Sequence, residues 1–190
     1  MRISNRYGLL GVGLFALSLL VFGISSPSFD FLNSYISELG AKGTKNAIAF
    51  NLLAFIIPGL LLALFGWSYG QEIKDKLTGS LLGFFGIAFG FTAIPIDSLN
   101  QDTPYSKAHV VAICLALAAW LFGLARISGN PKTALVNKKI ANTTATLLTA
   151  SMILGGTELI AMPITHRLVF TIVFGWTLLS SLTLKDVSVK

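Results

Sequence analysis

LTGSLLGFFGIAFGFTAIPIDSLNQDTPYSKAH, residues 77–109, joins one long apolar segment to the next through a short polar turn. Glycines at 79, 83, 86 and 90 recur at helical spacing and share one face. Small residues let helix backbones approach closely in lipid, where packing rather than hydrophobicity drives association. The stretch predicts a membrane helix over 77–94, central to a bundle. Pro95 biases Ile94 away from helical geometry and ends it there. The turn that follows carries Asp97, Asp102, two prolines and His109, one of two histidines in the chain.

Composition agrees with a membrane helix. Of 190 residues, 54% are hydrophobic and 12% charged, against about 25% charged in a soluble domain. Mean hydropathy is +0.76. At roughly 20 apolar residues per crossing the length allows about six spans with short loops. The expected architecture is all-α: a single six-helix transmembrane domain over 1–190. Helices are predicted at about 7–24, 47–69, 77–94, 105–126, 140–161 and 166–184, with an outer loop over 25–46. The basic start and apolar run resemble a signal peptide, but the run is long and no A-x-A site follows, so it reads as an uncleaved helix. Pro58-Gly59 predicts a mid-membrane kink. Thr103-Pro104 predicts a capped start for the fourth helix. Cys114 is the only cysteine and lies in an apolar run, so it reads as a small packing residue.

The net charge of +6 does not point to nucleic acid, because the basic residues flank apolar spans. Arg2, Arg6, Lys74, Lys76, Arg126, Lys132, Lys138, Lys139, Lys185 and Lys190 fall on one side; Lys42, Lys45, Lys107 and Arg167 fall on the other. The positive-inside rule then puts both termini in the cytoplasm. Asp30, Glu38, Asp97, Asp102, Glu158, His109 and His166 gather on or near the outer face.

Chemistry is expected there. A helix C-terminus disfavours the negative charge of Asp97, which calls for a cation or donor. A helix N-terminus disfavours protonation of His109, which leaves it able to accept a proton or bind a metal. Glu158, about one turn inside the fifth helix, is costly unless paired, and Arg167 is its expected partner. Ser34, Ser37, Glu38 and Asn51 add hydrogen-bonding groups. Two readings stay open. In one, Asp97, Glu158, Arg167 and His109 tie helix ends together. In the other, Asp97 and His109, with Glu158 or His166, hold zinc, whose bound water attacks a lipid bond. No H-x-x-x-H, H-E-x-x-H or G-x-S-x-G motif supports catalysis, and acids near a surface do not suit a conventional transporter.

N33-S-Y-I-S-E-L-G40, Asn51, P95-I-D97, His109 and H166-R167 before Trp176, in that order and spacing, resemble the bacterial and archaeal membrane family called domain of unknown function 998. That family in turn is similar to the Frag/DRAM/Sfk membrane proteins. The resemblance covers nearly the whole chain and implies six helices, no established activity, and family positions at Ser37, Glu38, Gly40, Asn51, Asp97, His109 and Arg167. The chain departs at Ile94, where Phe is usual, and at His166, where Gln is usual. A fainter similarity, to the membrane hydrolases containing alkaline ceramidases and adiponectin receptors, implies zinc held by Ser, Asp and His; their paired C-terminal histidines are missing here.

The expected function is therefore a multi-pass plasma-membrane protein of a bacterium or archaeon. Its outer polar pocket, built from Ser37, Glu38, Asn51, Asp97, His109, Glu158 and Arg167, is expected to bind or organise a lipid head group. The alternatives are a zinc-dependent lipid hydrolase using Asp97 and His109, with His166 as a further candidate ligand, and a structural membrane subunit.

Overall fold

The computed structural model describes residues 3–100 and 102–183. It contains helices and turns, with no strand among the described residues. Six long helices follow one another: α1 (Ile3–Ser25), α2 (Ala47–Glu72), α3 (Lys76–Phe91), α4 (Pro104–Gly129), α5 (Leu135–Gly156) and α6 (Met162–Thr183). A single 3-10 turn, Ile36–Gly40, interrupts the loop between α1 and α2.

Four of the six, α1, α2, α4 and α6, are long and apolar enough to cross a membrane. The third, at 16 residues, is shorter, about 24 Å at helical rise. The fifth opens on the polar run N-K-K-I-A-N-T-T. Its hydroxyls nonetheless suit an apolar surrounding, because Thr144 donates to Ile140 O at 2.7 Å and Ser151 to Leu148 O at 2.8 Å. A hydroxyl returned to its own helix needs no water.

Each helix packs against its sequence neighbours, and α1 closes the set against α6. The expectation that the glycine-faced helix is central is therefore corrected: α3 is one stave of a closed ring. Its glycines serve the seam with α2. A Cβ on Gly59 would lie 2.7 Å from the backbone of Gly90, and one on Gly66 would overlap the backbone of Leu82 and Gly83. Gly86 faces the backbone of Ala63, and Gly70 faces Gly79. Both helices supply small residues, so the zipper is mutual.

Aromatic side chains fill the ring. Phe15 meets Phe55, Phe89, Phe170 and Phe174 at centroid distances of 4.7–6.3 Å. Further along, Trp176 packs edge-on against Trp120 and at a tilt against Tyr69. The outward faces carry large apolar side chains instead, among them Leu10, Leu17, Leu60, Val110 and Leu179. Cys114 is exposed on that outer surface, which corrects its expected place in the packing.

Helix ends differ from expectation for local reasons. Pro163, in the gap predicted between the helices at 140–161 and 166–184, instead opens α6 in its first turn, where a missing N–H costs nothing. The fifth helix stops at Gly155-Gly156 rather than at 161. The third stops at Phe91, where Thr92 Oγ1 donates to Phe89 O at 2.6 Å and three i-to-i−3 bonds tighten the exit. In α2 the distortion starts before Pro58: residues Asn51–Ile56 form a π-helical turn. Proline lacks the N–H that an α-turn would return to Ala54.

Candidate functional site

The two ends of the ring carry different chemistry. At one, here the Asp97 end, the 25–46 loop meets the α3–α4 turn and the start of α6. Lys42 N–H donates to Ile96 O at 2.9 Å, joining the first two. At the other, the Asp75 end, Ser4 Oγ donates to Glu72, and Arg126 pairs with Asp75 at 3.0 Å.

The Asp97 end is organised by side chains that close on backbone. Asp30 caps a helical turn by accepting from Leu32 N at 2.7 Å and from Asn33 N and Nδ2. These bonds, the Asn33 amide foremost, hold its carboxyl below the usual carboxylate range. Arg167 takes the carbonyl side of the same turn. It donates to Ser34 O at 2.7 Å and Asp30 O at 3.3 Å, and to Pro163 O at 2.7 Å in its own helix. Glu38 accepts from Tyr35 N at 3.0 Å and fixes the 3-10 turn. Asn51, buried, donates to Gly40 O at 2.9 Å. Ser37 is half-buried on that same turn.

The expected pairings change accordingly. The Glu158–Arg167 pair is not formed. Because α5 ends early, Glu158 lies past it in an exposed turn with φ +60°, while Asp30 and Glu38 are the acids whose charge acts on Arg167. Among the described residues Asp97 finds no cation. Its carboxylate accepts from Leu99 N at 3.0 Å and Asn100 N at 3.1 Å, and its own N–H donates to Ser106 Oγ at 3.0 Å. The donor it needs is supplied by the turn that follows it. Asp102, by contrast, pairs with Lys107 at 3.4 Å on the exposed surface.

His109 faces inward. Its Nδ1 lies 3.1 Å from Ile94 O, a contact that makes this nitrogen the protonated one, and its ring stands edge-on to Phe55. His166 packs against Tyr35, the rings tilted and their centroids 5.1 Å apart, and lies near enough to His109 to interact electrostatically. The two imidazoles therefore share the interior mouth of the ring, whereas Asp97 belongs to the turn outside it. As a zinc site the set fits poorly: Asp97 and His109 are each committed to backbone, and among the described residues no three His, Cys, Asp or Glu side chains are grouped to hold a metal.

Open space at this end lies elsewhere. A cavity of about 340 Å³ is lined by Lys42, Thr44, Asn46, Ile48, Asn51 and Pro95 among others. Asn51 is the one expected site residue on its wall. Lys42, Asn46 and Ile48 were not singled out by sequence reasoning. Their signal is faint: Gly43 at φ +84° and Asn46 at φ +67° mark bends in the arm that lines the cavity. Tyr35 enters the sequence analysis only as a letter of the 33–40 motif, and its partnership with His166 depends on the fold.

Comparison with curated proteins and with solved structures finds no match. A family model described as "Protein of unknown function (DUF998)" matches residues 9–185, nearly the whole chain. The chain belongs to that family, and its apolar helices mark it as an integral membrane protein.

Proposed function

We propose that this is a six-span protein of a bacterial or archaeal plasma membrane, with both termini in the cytoplasm, that binds or organises a lipid head group without transforming it. The Asp75 end carries the excess of basic residues, which supports the orientation. The head-group reading rests on the cavity beneath Lys42. It offers a cation, two amide side chains and a volume within the range of small-molecule sites. Ile48, 87% exposed, stands at its edge as an apolar neighbour for an acyl chain.

Lipid analysis of the gently solubilised chain tests this. Phospholipid should co-purify with the wild type and be depleted in Lys42→Ala. A lipid-free chain, or one whose lipid is unaffected by that change, would refute head-group binding. Topology is checked separately by labelling Ser98→Cys and Lys132→Cys in a Cys114→Ala background; labelling from the same side of the membrane would overturn the orientation.

A second reading, a structural subunit, has one observation in its favour: Arg167 spends its guanidinium on three carbonyls of the protein itself. The hydrolase alternative would require Asp97 to leave its turn. Elemental analysis showing stoichiometric zinc, lost in His109→Ala, would restore it.

A further inference from the structure

Between α3 and α4, at the Asp75 end, an open groove of about 880 Å³ runs along the outer surface. Its walls divide by chemistry. Leu77, Leu81, Phe122 and Ala125 form an apolar floor, and Lys74, Arg126 and Lys132 form a cationic lip beside Asp75. Leu77 and Phe122 are among the large apolar side chains left exposed.

The one acid in the groove is already satisfied. Asp75 accepts from Thr78 N–H and Oγ1 at 3.2 and 2.9 Å and from Arg126 Nη2 at 3.2 and 3.0 Å. Arg126 gives it only that nitrogen. Its side chain is 45% exposed, so Nε and Nη1 remain able to donate outward. Lys74 and Lys132 are exposed as well. The lip therefore presents three cations against one carboxylate whose oxygens are engaged.

A soluble anion would use the lip and leave Phe122 and Leu77 without a partner. An apolar segment would use the floor and leave the cations without one. We propose that the groove binds an anionic phospholipid. Its phosphate is taken by Arg126, Lys74 and Lys132, and an acyl chain lies along Leu77, Leu81 and Phe122. Basic pockets between membrane helices on the cytoplasmic side have this character. The inference rests on the membrane reading but not on the cavity beneath Lys42, which lies at the opposite end of the ring.

Native mass spectrometry of the full chain in detergent, titrated in parallel with phosphatidylglycerol, phosphatidylcholine and inorganic phosphate, tests it. Phosphatidylglycerol should bind at least about tenfold more tightly than phosphatidylcholine. Each lysine removed in Lys74→Ala and Lys132→Ala should weaken it about fivefold. Both lysines are exposed and spare the Asp75–Arg126 pair, so neither change threatens the fold. Arg167→Ala should leave the preference intact. Equal affinity for the two lipids would overturn the proposal, as would lysine variants that bind like wild type. Full competition by inorganic phosphate would reassign the groove to a free anion. If Lys42→Ala alone abolished the preference, the selectivity would belong to the other cavity. A chain that failed to partition into membranes would defeat the membrane reading itself, a result separable from loss of preference.

Discussion

Asn51 and Gly40 fit one another at atomic contact: the amide donates to the glycine carbonyl at 2.9 Å, and a Cβ on Gly40 would overlap Asn51 Oδ1. The contact fastens the loop to α2 where its π-helical turn begins. Gly40→Ala should therefore destabilise by about 1–3 kcal/mol, a typical cost of overpacking. Asn51→Ala should cost about 1–3 kcal/mol by leaving a buried carbonyl unpaired. The double variant should fall well short of the sum, because the second change removes the obstacle met by the first. Thermal unfolding in detergent of all three variants measures this; strict additivity would show that the two residues are not coupled.

The α2–α3 seam gives a sharper contrast among glycines. Gly59→Ala and Gly86→Ala press a Cβ against backbone, which cannot rotate away. Each should destabilise by about 2–4 kcal/mol. Gly13→Ala and Gly175→Ala meet nothing within 4 Å and should be neutral or slightly stabilising, by about 0.5–1 kcal/mol, through helix propensity. Equal effects at seam and control positions would contradict the zipper.

Asp75 gives the Asp75 end a pH dependence. Burial acts to raise its carboxyl pKa, but the Thr78 hydrogen bonds and Arg126 together outweigh it and hold the group below its usual range. Since the folded value is the lower one, its contribution is fully present above the unfolded pKa of about 3.9. It is lost as pH falls through the folded value. Melting temperature followed from pH 6 downward should drop more steeply for wild type than for Asp75→Asn, which begins lower. Parallel curves would assign the acid sensitivity to other carboxylates.

Arg167 should act as a clamp on the 25–46 loop. Arg167→Ala is expected to speed amide hydrogen exchange over residues 30–40 without altering α3 or α4. Arg167→Lys should rescue little, since an ammonium cannot reproduce a planar fork spread over carbonyls in two segments. Full protection in the lysine variant would reduce the role to charge alone.

Much of this fold is legible in the sequence. Apolar runs mark six helices, four of them long and apolar enough to cross a membrane, and the Thr103 cap appears as expected, accepting from Ser106 N at 3.2 Å. Boundaries set by glycine and proline were less legible. Pro163 reads equally well as a turn or as a first helical residue, and only the packing of α6 decides between them. The candidate site was legible as a set of residues but not as a set of contacts. Charge suggested that Arg167 would seek Glu158, and that Asp97 would need a cation or a donor. In the folded chain both are satisfied by backbone groups, which no sequence displays. The single-face glycine pattern of α3 was correctly read as packing. What it could not reveal was that Gly59, Ala63, Gly66 and Gly70 on α2 answer it, making a two-helix seam within a ring rather than a hub.

Ring closure has a consequence in time. Phe15 finds two of its partners, Phe170 and Phe174, on the last helix. These emerge roughly 150 residues later, on the order of ten to thirty seconds at ordinary rates of synthesis. Throughout that interval the inward face of α1 is without half its wall. Lipid, an insertion factor or a provisional contact with α2 must occupy it, and whatever does so has to yield when α6 arrives. The protein is thus most vulnerable to mispairing just before translation reaches its last span, and slowing or pausing synthesis there should lower the yield of assembled chain more than a pause anywhere earlier.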